Sequence, residues 1–101
     1  MSAHAALKAL SERQRRKLLG ILKEQGSCSV GELTEQVEVS QQAVSLHLKA
    51  LEEAGLVEAR KEGTRHIYAV RPEGFQPVSE FVAEFWTGNL GKLKDKFEPD
   101  V

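Results

Sequence analysis

Residues 39–57 read VSQQAVSLHLKALEEAGLV. This stretch has the start, the period and the stop of a helix. Ser40 is the residue type that caps a helix by accepting a backbone N–H from the first turn. Val44, Leu48 and Leu51 then recur on one face, with Ala43 and Ala54 as small residues for close packing. Gly55 stands where helices commonly end in a left-handed residue. Off the apolar face lie Gln41, Gln42, Ser45, Leu46 and Lys49, a surface short of charge and carrying one leucine. The fold turns on whether this surface reads a nucleic acid or only meets water.

Working outward, Ser29 and Glu32 have the spacing of a capping box. They open a short helix buried through Leu33 and Val37, with Val39 as an inward-facing connector. Ser11 and Gln14 repeat that spacing ahead of the stripe Leu18, Leu19, Ile21 and Leu22, which Gly26 stops. Ala3, Ala6, Leu7 and Leu10 place a further helix in the first ten residues. Downstream the period changes from helical to alternating. LVEARKEGTRHIYAV has Leu56, Ala59, Ile67 and Ala69 in strand positions around the tip Glu62-Gly63-Thr64, which predicts a two-stranded hairpin. Arg71-Pro72 closes it. Val78, Phe81, Val82, Phe85, Trp86, Leu93 and Phe97 then return to helical spacing, with Gly88 and Gly91 as weak points.

The bulk properties exclude several classes. The chain of 101 residues fits one domain spanning 1–101, and 41% hydrophobic residues supply a small core of the kind often completed by a second copy. A formal net charge of −1 argues against a uniformly basic coating protein, though not against cations gathered on one face. One cysteine excludes an intramolecular disulfide framework and points to the reducing cytoplasm. No apolar run reaches membrane-spanning length, and MSAHAALKAL lacks the layout of a secretory leader. His4, His47 and His66 are scattered without ligand spacing, so no metal or other cofactor is expected. No nucleophile–base pair or phosphate loop argues for an enzyme.

Two short helices joined by a tight turn and followed by a hairpin form the layout of a winged helix-turn-helix. The expected fold is mainly α, with about five helices plus a two-stranded wing. In that layout the first helix braces the second, whose N-terminal half enters the major groove. Gln41 and Gln42 carry amides suited to an adenine edge, and Ser45 can bond a base or a phosphate. Lys49 lies a turn further on, at phosphate range, and His47 is placed for the groove edge. Leu46 has two readings: contact with a thymine methyl, or packing against a neighbouring loop. On the wing, Arg60, Lys61, Thr64 and Arg65 surround a glycine tip and suit phosphate, although Glu58 and Glu62 dilute their charge. The densest basic run, Arg13, Arg15, Arg16 and Lys17, opens a helix where the macrodipole disfavours cations. A solvated face is its plain reading; pairing with acids of a partner subunit or approaching DNA are the others.

These residues resemble the ArsR-type (ArsR/SmtB) winged-helix transcriptional regulators. ALSERQRRKLLGIL (residues 9–22) is similar to that family's opening helix. SVGELTEQVEVSQQAVSLHLKALEEAGLVEARKEGTRHIYAV (residues 29–70) is similar to its helix-turn-helix and wing, most specifically over residues 40–57. The resemblance implies DNA-facing positions at Gln41, Gln42, Ser45 and His47, and a wing contact at Arg65. It also implies a repressor. The departures matter as much. The metal-sensing branch carries C-V-C-E-L where this chain has Ser29-Val30-Gly31-Glu32-Leu33, and Cys28 is one place out of register. The last helix lacks the histidine of the family's second metal site. Leu46 replaces a common Arg or Gln, and Arg13 replaces a Pro.

The expected function is thus a homodimeric, sequence-specific regulator binding an imperfect palindrome in double-stranded DNA through the 40–54 helix and the 56–70 wing. The reading residues are Ser40, Gln41, Gln42, Ser45, Leu46, His47, Lys49, Lys61, Thr64 and Arg65. The dimer seam is expected on the 1–10 and 75–97 helices through Leu7, Leu10, Phe81, Phe85 and Trp86. The competing expectation is a winged-helix module that binds protein and not DNA. No residue pattern names an effector, and Cys28 reads as a small buried apolar residue before it reads as a sensor.

Overall fold

The computed structural model describes residues 3–87. Leu93, Phe97 and the two late glycines of the aromatic segment lie outside them. In chain order the elements are α1 (Ala3–Leu10), α2 (Arg13–Gln25), β1 (Ser27–Ser29), α3 (Val30–Thr34), α4 (Gln41–Glu53), β2 (Val57–Glu62), β3 (Arg65–Val70), a 3-10 turn (Pro72–Phe75) and α5 (Gln76–Trp86). Five helices and both hairpin strands form within the segments the residue pattern marks, but α3 ends at Thr34, short of Val37, and the last helix is described only as far as Trp86.

The sheet corrects one expectation. It has three strands in the order β1-β3-β2, with β1 antiparallel to β3 through Ser27↔Ala69, Cys28↔Tyr68 and Ser29↔Ile67. Three residues are too few to show a strand period, and their partner lies far downstream, so SCS reads locally as a connector. The strand has a positional role. It ties the start of α3 to the wing, so the helix-turn-helix and the hairpin share one framework.

The ends of the helices explain their placement. The α2 cap is Glu12, whose Oε2 accepts the Arg15 N–H at 2.9 Å, and not the Ser11–Gln14 box expected above. Ser11 is occupied elsewhere: its hydroxyl donates to the Lys8 carbonyl at 2.6 Å, closing the end of α1. A short polar side chain bonds whichever backbone group the turn brings near. The Ser29–Glu32 box does form in full, and Ser40 Oγ accepts the Ala43 N–H at 3.1 Å to start α4. At the end of α4, Leu56 N–H donates to the Leu51 carbonyl and Gly55 N–H to that of Glu52, with Gly55 at φ 79°. This is the paired 6→1 and 5→2 bonding of a Schellman ending, which needs a residue tolerant of positive φ.

The core lies between α2, α3, α4 and the root of the hairpin. Leu33, Val44, Leu48, Leu51 and Leu56 have no exposed surface. Leu18 and Leu22 of α2 close it from one side, and Ala6 and Ala9 of α1 from another. Helix α5 behaves differently. None of its residues is buried, and it packs mainly against α1 and the 3-10 turn.

Candidate nucleic-acid interface

The reading face follows from how α4 is seated. Val44, Leu48 and Leu51 turn fully inward, and with 3.6 residues per turn the opposite side must then meet solvent. Gln41, Gln42, Ser45, Leu46 and Lys49 are all exposed there. Leu46 is 69% exposed, so no neighbouring loop covers it. His47 departs from this group. Its ring is mostly covered, and its Nδ1 sits 3.9 Å from Glu12 Oε2. It therefore couples α4 to the start of α2. The same Glu12 carboxyl is held below its ordinary value, first by the Arg15 N–H and further by the charge of His47, against an upward push from burial.

The wing stands beside α4. Its ladder runs from Val57↔Val70 to Glu62↔Arg65, leaving Gly63 and Thr64 as a two-residue loop. Gly63 takes φ 63° at the first loop position, the form of hairpin turn that matches strand twist. The wing cations are not equivalent. Arg60 is bound through Nε and a terminal nitrogen to Glu62 Oε2, both at 2.8 Å, along its own strand. Arg65 reaches across to α3, where one terminal nitrogen meets Glu32 Oε1 at 3.2 Å. Lys61 is exposed opposite His66.

Gln41 and Ser45, one turn apart, face the wing tip. With Ser29, Thr64, Arg65 and His66 they wall a groove of about 360 Å³. The sequence reading named Gln41, Ser45, Thr64 and Arg65, and the structure brings these four together. It missed His66 and Ser29 at the same groove, and Glu32, which reaches it through Arg65. Glu32 was legible only as a helix cap. It accepts the Ser29 N–H at 2.8 Å, and that carboxylate is the one Arg65 meets. The Ser29 backbone N–H first, then the Ser29 hydroxyl, hold the Glu32 carboxyl below the usual carboxylate value; burial opposes this and the Arg65 charge adds to it. Gln42, Leu46 and Lys49 do not line this groove.

The basic run at the start of α2 has a local use. Arg16 donates to the Leu10 carbonyl at 2.8 Å and Arg15 to that of Ala9 at 3.4 Å. Cations thus sit on the open carbonyls and negative dipole end of α1, which offsets their place at the start of α2. Cys28 is buried, its Sγ lying 3.3 Å from the Gln25 side-chain oxygen. Burial first, and the Glu32 charge second, push the thiol up, away from the reactive thiolate. Among the described residues no group of three or more His, Cys, Asp or Glu is placed to hold a metal, and no helix is long and apolar enough to cross a membrane.

The residues expected at a subunit seam are largely open. Leu7, Phe81, Val82, Phe85 and Trp86 are exposed, the last two at 63% and 64%. Phe81 and Phe85 stack edge to face with centroids 5.3 Å apart. Leu10 is instead half-buried. It lines an apolar cleft of about 400 Å³ with Leu19, Gly20, Val70 and Phe75.

Comparison with known proteins agrees with this geometry. A family profile described as "Bacterial regulatory protein, arsR family" matches residues 12–59, from the α2 cap into the wing. The HTH-type transcriptional regulator Rv2034 of Mycobacterium tuberculosis is 40% identical over 89 residues, covering 88% of this chain and 82% of its own length. The crystal structure of a possible transcriptional regulator for arsenical resistance superposes with a TM-score of 0.73 at 33% identity, covering 89% of this chain and 93% of the other. The homodimeric winged helix-turn-helix DNA-binding domain of a possible ArsR-family regulator from Mycobacterium bovis, solved in solution, gives 0.67 at 30% identity, covering 84% and 81%. These relatives are regulators and not enzymes. With its capped α3–α4 pair and its wing beside them, this chain belongs to the ArsR family of winged helix-turn-helix transcriptional regulators.

Proposed function

We propose that the chain acts as a homodimeric repressor which reads an imperfect palindrome. In this reading α4 enters the major groove with Gln41, Gln42, Ser45 and Leu46 toward base edges. Ser40, Lys49, Lys61, Thr64 and Arg65 hold phosphates, and His47 supports the helix at the groove edge. The observation that carries the reading is the two-sidedness of α4. One face is sealed into the core, while the other presents amides, a hydroxyl and an uncovered leucine beside a cation-bearing wing tip. An exposed methyl-rich side chain among amides suits a thymine-containing step.

The dimer is proposed through α1 and α5. Phe81, Phe85, Trp86 and Leu7 form an apolar surface that a lone copy would leave wet. A two-fold pairing repeats α4 about one helical turn away, which makes the operator palindromic. Repression follows when such a site overlaps a promoter. The domain is proposed to span 1–101, with residues 1–10 and 75–97 serving the seam.

Selection of randomised duplexes by the purified protein, at low and at physiological salt, tests this. An enriched palindrome is expected. Binding without sequence preference that vanishes with salt would remove the reading role of α4. The uncovered Leu46 and the acids on the wing also fit a module that docks on protein. Gln42→Ala with Ser45→Ala tests the face itself, because unchanged affinity for duplex DNA would remove these residues from the reading surface.

A further inference from the structure

We infer that Glu32 competes with DNA for Arg65, holding its guanidinium at the α4–wing groove until a phosphate of the duplex takes the place of the carboxylate. The inference rests on the DNA-binding reading above. Glu32 is fixed, because its Oε1 also accepts the Ser29 N–H at 2.8 Å. Arg65 is not fixed: it gives Glu32 one N–H at 3.2 Å, and both side chains are more than half exposed. A guanidinium has five donors in a planar fork and matches phosphate as well as carboxylate, often with two bonds. The weak single contact is therefore readily exchanged for a stronger double one. Arg60, bound twice at 2.8 Å to Glu62, is not available in the same way.

The surroundings favour an anion in that exchange. Gln41, Ser45, Thr64 and His66 bring hydrogen-bond donors to the groove that Arg65 borders. Glu32 is the acid beside them. While paired it cancels the charge of Arg65, and when DNA is bound it stays near the incoming phosphate as an opposing charge. The carboxylate thus lowers the protein's affinity for any duplex and flattens its salt dependence, leaving base contacts from α4 a larger share of binding.

The test is Glu32→Gln. Glutamine at this position keeps the capping box, so the start of α3 is preserved. Binding of a random-sequence duplex is measured across a salt series for wild type, Glu32→Gln, Arg65→Ala and the double variant. Glu32→Gln should bind roughly two- to fivefold tighter at low salt, the worth of one exposed ion pair. Its log–log salt slope should steepen, by less than the ~0.9 of a whole phosphate contact, because Arg65 reaches phosphate in the wild-type complex as well. The gain should shrink when Arg65 is alanine, leaving only the direct repulsion between Glu32 and phosphate. Wild-type affinity and slope in Glu32→Gln would overturn the inference, as would an equal gain without Arg65. A second measurement needs no variant. The NMR shift of the Glu32 carboxylate carbon in the wild-type protein should move on duplex binding as its guanidinium partner leaves, and an unmoved shift overturns the exchange. Wild-type protein that binds no duplex at any salt overturns the DNA-binding reading itself, and this inference with it.

Discussion

Gly74→Ala and Gly20→Ala add the same methyl group and should move stability in opposite directions. At Gly74 a Cβ would lie 1.8 Å from the Gly55 carbonyl oxygen, 2.7 Å from its carbon and 3.4 Å from Leu56 Cα. The first distance is about half of ordinary contact, and all three atoms are backbone. They belong to the Schellman ending of α4, whose hydrogen bonds fix them, so no flexible side chain can yield. The 3-10 turn must lift away, and Arg71, which donates its N–H to the Leu56 carbonyl at 2.9 Å, is drawn with it. Overpacking of this kind costs about 1–3 kcal/mol, with more expected against rigid backbone. At Gly20 nothing lies within 4 Å of the added methyl, and the residue sits inside α2. There alanine should stabilise by about 1 kcal/mol through helix propensity. Thermal and urea melts at one fixed protomer concentration compare the two, so that the proposed dimerisation weighs equally on both midpoints. For a domain of this size, 1 kcal/mol moves Tm by about 4–8 °C. Gly74→Ala melting with wild type, or Gly20→Ala melting below it, would refute the reasoning.

Other outcomes follow from single contacts. Trp86→Ala should loosen the proposed dimer, seen as dissociation in sedimentation equilibrium; an unchanged dimer removes Trp86 from the seam. Ser40→Ala deletes the α4 cap and should cost about 1 kcal/mol in urea melts, whereas Ser40→Asp should cost little. Leu48→Ala, at a position with no exposed surface, should cost about 2–5 kcal/mol. Glu12 and Glu32 both titrate below their ordinary value of 4.5 in the fold. Their contribution to stability is therefore present above that value and lost as pH falls through the lower, folded one. Urea midpoints followed into acid should fall more for wild type than for Glu32→Gln, and parallel curves would dismiss the Glu32 share.

The residue order of this protein determined its local pieces. Ser29 with Glu32, Ser40 and Gly55 mark their helix ends chemically, through caps a few residues long. The apolar period of α4 fixed which face is buried and hence which face is free, and the alternation around Gly63 fixed the hairpin. Tertiary structure decided whatever depends on partners distant in the chain. Only folding brings Cys28 beside Tyr68 to make a third strand. Only folding sends Arg15 and Arg16 to carbonyls of the preceding helix and His47 toward Glu12. The meeting of Arg65 with Glu32 joins residues 33 positions apart, each locally legible as something simpler. The physical reason is range. Capping and periodicity act within a turn or two of chain, whereas charge pairing and strand pairing depend on distance in space, which the packed core sets.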